Sequence, residues 1–72
     1  MVTAAAQIAS QVLFALRQSP IPALRKLSVR ETDQSVTLLG SVATYYLKQL
    51  AQETVMPVLS NRELHNEVLV VR

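Results

Sequence analysis

Apolar residues recur along the chain first at helical spacing, then at alternate positions, then at helical spacing again and finally at alternate positions. That order predicts helix, two strands, helix, strand. In the first segment Ala5, Ile8, Ala9, Val12, Ala15 and Leu16 trace one stripe of a helix over residues 3–18, with Thr3 as its N-cap. Phe14 falls on nearly the opposite side of that helix, beside Ser10 and Arg17. Ser19-Pro20-Ile21-Pro22 then ends the helix in a loop with stiff corners, because proline lacks an amide donor and disfavours helical geometry in the residue before it.

Leu27 and Val29 alternate with Lys26, Ser28 and Arg30, which predicts a strand over 26–32. Thr32-Asp33-Gln34-Ser35 reads as a turn, with Asp33 and Ser35 able to bond the neighbouring backbone, so the first two strands pair as an antiparallel hairpin. In the second strand Val36, Leu38 and Val42 share a face with Gly40, the only glycine. A glycine there lets a covering helix or a bulged backbone approach the sheet closely. A second helix follows over 43–56, capped by Thr44 or Ser41. Its stripe of Ala43, Leu47, Leu50, Ala51, Thr54, Val55 and Val58 faces the sheet, and Pro57 closes it. Tyr45 and Tyr46 open this helix, one placed to pack and the other to face water.

After a short connection over 58–62 the chain alternates again from Glu63. Leu64, Asn66, Val68 and Val70 form one face, and His65, Glu67, Leu69 and Val71 the other. A strand, helix, strand succession places the second and third strands parallel in one sheet. The expected fold is α+β: αββαβ, a three-stranded mixed sheet with two helices packed on one face. Asn66 points to the apolar side, where an amide must find partners, and reads as a structural tie between the third strand and a neighbouring loop.

Seventy-two residues make one small domain, 1–72. With no cysteine there is neither a disulfide framework nor a thiolate site, and no apolar run reaches the ~20 residues that span a bilayer. No base precedes Arg17, so the N-terminus makes a poor secretory signal; the chain stays in the cytoplasm or is one domain of a longer exported protein. The net charge of +2 is unevenly spread: residues 1–30 carry Arg17, Arg25, Lys26 and Arg30 with no acid, while residues 31–72 carry three bases and five acids. A basic half of this kind suits an anionic membrane surface or an acidic partner, the plain alternative being a solvated, mixed-charge surface. There is no long basic run, glycine-rich loop or pair of strand aromatics to suit nucleic acid. His65 is the single histidine, a surface residue between Glu63 and Glu67 with no metal-ligand spacing, so no catalytic residue, metal or cofactor is expected.

Together, Ile8, Val12 and Ala15-Leu16, then Leu27 and Val29, then Val36-x-Leu38-x-Gly40-x-Val42, Lys48 and Ala51, and finally Leu64-x-Asn66-x-Val68-x-Val70 resemble the BON domain of bacterial osmotically inducible and nodulation proteins. The resemblance spans nearly the whole chain. Where that family has Gly-Val before its last strand, this chain has Ser60-Asn61. The resemblance implies a non-catalytic module of the bacterial envelope, associated with envelope stress, that binds phospholipid or joins larger proteins. For this chain it suggests contact with anionic membrane through Arg17, Arg25, Lys26 and Arg30, with Phe14 inserting. The alternative is a protein-interaction or self-association module, possibly a homo-oligomer, that uses Leu39, Leu69 and Val71 on the open sheet face.

Overall fold

A computed structural model describes the backbone of residues 4–71 and the side chains of residues 11–71. Thr3 and the side chains of Ala5, Ile8, Ala9 and Ser10 lie outside the described residues. Helix α1 (Ala4–Arg17) is followed by a one-turn helix α2 (Pro22–Arg25), strands β1 (Ser28–Glu31), β2 (Ser35–Leu39) and β3 (Ser41–Val42), and helix α3 (Tyr45–Val55). A 3₁₀ turn (Met56–Val58) leads to β4 (Glu63–Asn66) and β5 (Leu69–Val70). The main sheet has the order β1-β2-β4, with β1 antiparallel and β4 parallel to the central β2. The fold is α+β.

Alternation in β2 sets the core. Val36 and Leu38 are fully buried, while Ser35, Thr37 and Leu39 between them are half-buried. Val12 and Leu16 of α1, Ala51 and Val55 of α3, and Leu24, Leu27, Val42 and Val68 close over the same side. α1 and α3 pack against each other and on this face of the sheet. Removing these apolar side chains from water supplies most of the stabilisation available to so short a chain.

Both long strands break at the same height. β2 and β3 are one extended run interrupted at Gly40, and β4 and β5 are one run interrupted at Glu67 and Val68. The register is nevertheless constant, because Ser35 pairs with Glu63 and Val42 with Val70. Across the gap the Glu67 amide donates to the Leu38 carbonyl at 3.0 Å and the Leu69 amide to the Gly40 carbonyl at 2.9 Å. Gly40 takes φ +127°, which L side chains rarely adopt, and a Cβ built on it would stand 2.8 Å from Leu27 Cδ2. The close neighbour is therefore the side chain entering β1, not a covering helix.

Several other local expectations change. The loop after α1 contains α2, because Pro22 occupies the first helical position, where its fixed φ favours helix and its missing amide costs nothing. In the hairpin turn it is Thr32, not Asp33, that bonds the backbone: its Oγ1 accepts the amides of Gln34 at 3.2 Å and Ser35 at 3.0 Å. Thr44, not Ser41, caps α3, accepting the Leu47 amide at 3.1 Å, and so leaves Ala43 exposed ahead of the helix. α3 does end just before Pro57, at Val55, and Pro57 sits inside the 3₁₀ turn that follows. Ser60 (φ 59°) and Asn61 (φ 68°) are both left-handed, and the Arg62 amide closes their turn on the Leu59 carbonyl at 3.2 Å. Asparagine tolerates that geometry; serine pays a steric cost of about 1–2 kcal/mol there.

Replacing Gly40 by alanine is expected to lower unfolding stability by about 2 kcal/mol, from overpacking on Leu27 and the positive φ together. Ser60→Gly is expected to raise it by about 1 kcal/mol. Urea denaturation of the two variants beside wild type measures both, and a Gly40→Ala chain as stable as wild type would refute the close-packing account.

Candidate functional site

Three of the four expected basic residues, Arg17, Arg25 and Lys26, are gathered where α1 ends, α2 turns and β1 begins. Arg17, in the last turn of α1, donates from Nη1 to the carbonyls of Arg25 at 2.7 Å and Leu27 at 2.8 Å. Arg25 in turn donates from its Nη1 to the Ser19 carbonyl at 2.9 Å, and Ser19 Oγ accepts the Ile21 amide at 3.1 Å. Arg17 and Arg25 are thus part of the scaffold as well as carriers of charge. Their guanidinium groups tie three consecutive segments together while their side chains stay exposed. Lys26 caps α2 and is exposed; Arg30 lies further along β1, opposite Thr37 on the open face.

Among the described residues Glu31 pairs with Arg62 and Glu63 Oε1 lies close to His65 Nε2, and neither contact involves these four cations. Phe14 is 63% exposed and lies one turn before Arg17 on α1. The structure therefore sets an exposed aromatic ring on the helix that leads into an uncompensated cationic cluster.

The alternative surface is less continuous. Leu69 is 65% and Val71 52% exposed, but Leu39 is half-buried within β2. Tyr45 and Tyr46 are both exposed at the start of α3, so neither packs as expected of one of them. His65 is a surface residue with Nε2 3.4 Å from Glu63 Oε1. Among the described residues no pocket opens, no group of three or more His, Asp or Glu side chains is placed to hold a metal ion, and no helix is long and apolar enough to cross a membrane.

Asn66 is a tie, though to a helix and not to a loop. Its Nδ2 donates to the Lys48 carbonyl in α3 at 2.9 Å and lies 3.4 Å from Gln52 Oε1, while its Oδ1 accepts the Val68 amide at 3.3 Å. One amide thereby holds the sheet against α3 and satisfies the backbone where β4 breaks.

Sequence reading missed the pair between Glu31 and Arg62. Arg62 is buried, its Nη1 lies 3.2 Å from Glu31 Oε1, and its Nε donates to the Leu59 carbonyl at 3.0 Å. Glu31 Oε2 and Arg62 Nη2 are also buried and have no partner. The signal was present in the alternation, which puts Glu31 on the same face as Leu27 and Val29, where a carboxylate needs a cation. The pair joins the end of β1 to the residue that leads into β4, and the bond of Arg62 to the Leu59 carbonyl spans the Ser60-Asn61 turn.

Comparison of the chain with family models, with curated proteins and with solved structures returns no match.

Arg62→Met is expected to cost about 3–5 kcal/mol, because it leaves the Glu31 carboxylate buried without its cation. Adding Glu31→Leu should recover most of that loss. Equal destabilisation in the single and double variants, read from denaturation curves, would show that the two side chains are not coupled.

Proposed function

We propose that this chain is a non-catalytic, BON-like binding module that attaches peripherally to anionic phospholipid membrane. The observation that carries the reading is the convergence of Arg17, Arg25 and Lys26 at one end of the fold, unpaired with acids among the described residues and next to the exposed ring of Phe14. Lipid phosphates offer the negative charge this cluster lacks. The hydrogen bonds of Arg17 and Arg25 to backbone carbonyls hold the two groups in place before contact, so less side-chain freedom is lost on binding. An aromatic ring beside cations matches the two-part demand of a membrane interface, with charge at the headgroups and apolar area just below them.

Each cation near an anionic surface contributes about 1 kcal/mol. Replacing Lys26 and Arg30 by Gln, which leaves the carbonyl contacts of Arg17 and Arg25 in place, is therefore expected to weaken binding by about 2 kcal/mol, roughly 30-fold. Co-sedimentation with anionic and with neutral liposomes, at low and at high salt, reads this directly. Wild type should pellet with anionic vesicles alone and be released by salt, and Phe14→Ala should weaken the contact without altering the salt dependence. Absence of binding to anionic vesicles at low salt would end the membrane reading.

A further inference from the structure

The two edges of the main sheet carry opposite charge on the same face. β1 presents Arg30 on the open face, with Lys26 just ahead of the strand; β4 presents Glu63, with Glu67 just behind it. Among the described residues each of these strands pairs on one side only, which leaves a row of backbone groups without a sheet partner there. Their directions follow from the bonds already made. The Thr32 amide bonds the Ser35 carbonyl, so by alternation Arg30 and Ser28 bond toward β2, and the backbone of Val29 and Glu31 points outward. Likewise the amides of Glu63 and Glu67 bond the carbonyls of Gln34 and Leu38, which turns the backbone of Leu64 and Asn66 outward. Both edges are guarded at one end: Arg17 occupies the Leu27 carbonyl, and Asn66 Oδ1 takes the Val68 amide. The open stretch on each is short, centred on Val29 and on Leu64.

We infer that β4 of one copy of this chain adds antiparallel to β1 of a second copy, with Leu64 opposite Val29 of the second copy. In this register the two outward-facing residues exchange both of their main-chain hydrogen bonds, and their apolar side chains meet on the helix-covered face. On the open face the same register sets Glu63 opposite Arg30 and His65 opposite Ser28, and it brings Glu67 to the end where Lys26 lies. A shift of two residues either way puts Glu63 opposite Ser28 or Thr32 and loses the ion pair. A shift of one turns the side chains to the wrong faces. Pairing like edges, β1 with β1 or β4 with β4, lines one sign of charge along the seam. The favoured contact joins two different surfaces, so it passes from copy to copy, as a ring or an open chain, instead of closing as a two-fold dimer. It is short, and its ion pair is exposed, so it is weak and sensitive to salt. It goes beyond membrane attachment but shares Arg30 and Lys26 with it, so an anionic bilayer and the acidic edge of a second copy compete for the same cations.

Sedimentation equilibrium without lipid, over protein concentrations from micromolar to millimolar, tests this. At low salt the average mass should rise with concentration above the 8.0 kDa of one chain. At salt on the order of 1 M, where the Debye length falls to about 3 Å, it should return to the monomer. Arg30→Glu and Glu63→Arg should each hold the chain monomeric, and the two combined should restore association, with circular dichroism checking that each variant is folded. A monomer at every concentration, association indifferent to either single substitution, or no recovery in the double variant would each overturn the proposal. Vesicle binding measured on Glu63→Arg, which keeps every cation of the basic end, separates failure of this contact from failure of membrane attachment.

Discussion

Everything in this fold hangs on the inward alternation of β2. Val36 and Leu38 are the side chains on which both long helices close, and β2 is also the strand that bonds on both sides. In a chain this small no second core can compensate for it. The strand has to be central, since its apolar side chains and its two rows of backbone groups are all satisfied only between β1 and β4. Polar residues extend the arrangement where apolar packing ends. Asn66 fastens the sheet to α3, the Glu31–Arg62 pair joins the end of β1 to the residue that leads into β4, and Arg17 pins α1 to the entrance of β1.

These ties give the charged residues unequal roles. Arg17 and Arg25 hold backbone and offer charge at the same place, so structure and electrostatics cannot be varied independently there. Lys26 and Arg30 are free of such duties among the described residues and carry the charge that a partner meets. The sheet edges show a related economy. A side chain already occupies part of each edge, Arg17 of α1 at β1 and Asn66 of the strand itself at β4, which limits pairing to a few residues and leaves the sign of the outward charges to select what approaches.

The order of elements, the hairpin, the parallel crossover and the core were legible because each rests on side-chain periodicity that a single strand or helix displays by itself. Helix α2 was hidden because Pro20 and Pro22 read as breakers, while a proline in first position starts a helix as readily as it ends one. The break at Gly40 was half legible: the glycine announced a close approach, but that Leu27 fills the space depends on where the neighbouring strand begins. The basic cluster could be counted in the sequence, whereas its hydrogen bonds to carbonyls depend on how α1 meets β1. The Glu31–Arg62 pair required knowing that β1 and β4 flank the same strand, which no local pattern encodes.

The constant register between the parallel strands also has a consequence in time. β1 and β2 are joined by a tight turn and can pair as soon as both exist, but the partner on the other side of β2 lies beyond all of α3. Local contacts form early and such distant ones late, because the entropy of closing the intervening chain has to be met first. During that interval Val36, Thr37, Leu38 and Leu39 form a largely apolar strand with one bare side, whose Val36 and Leu38 are buried in the finished protein. A chain interrupted before Glu63, by a ribosome still at work or by proteolysis, would keep that side bare. The hazard of aggregation therefore belongs to the incomplete molecule, and the last nine residues of the chain that are described serve as its seal.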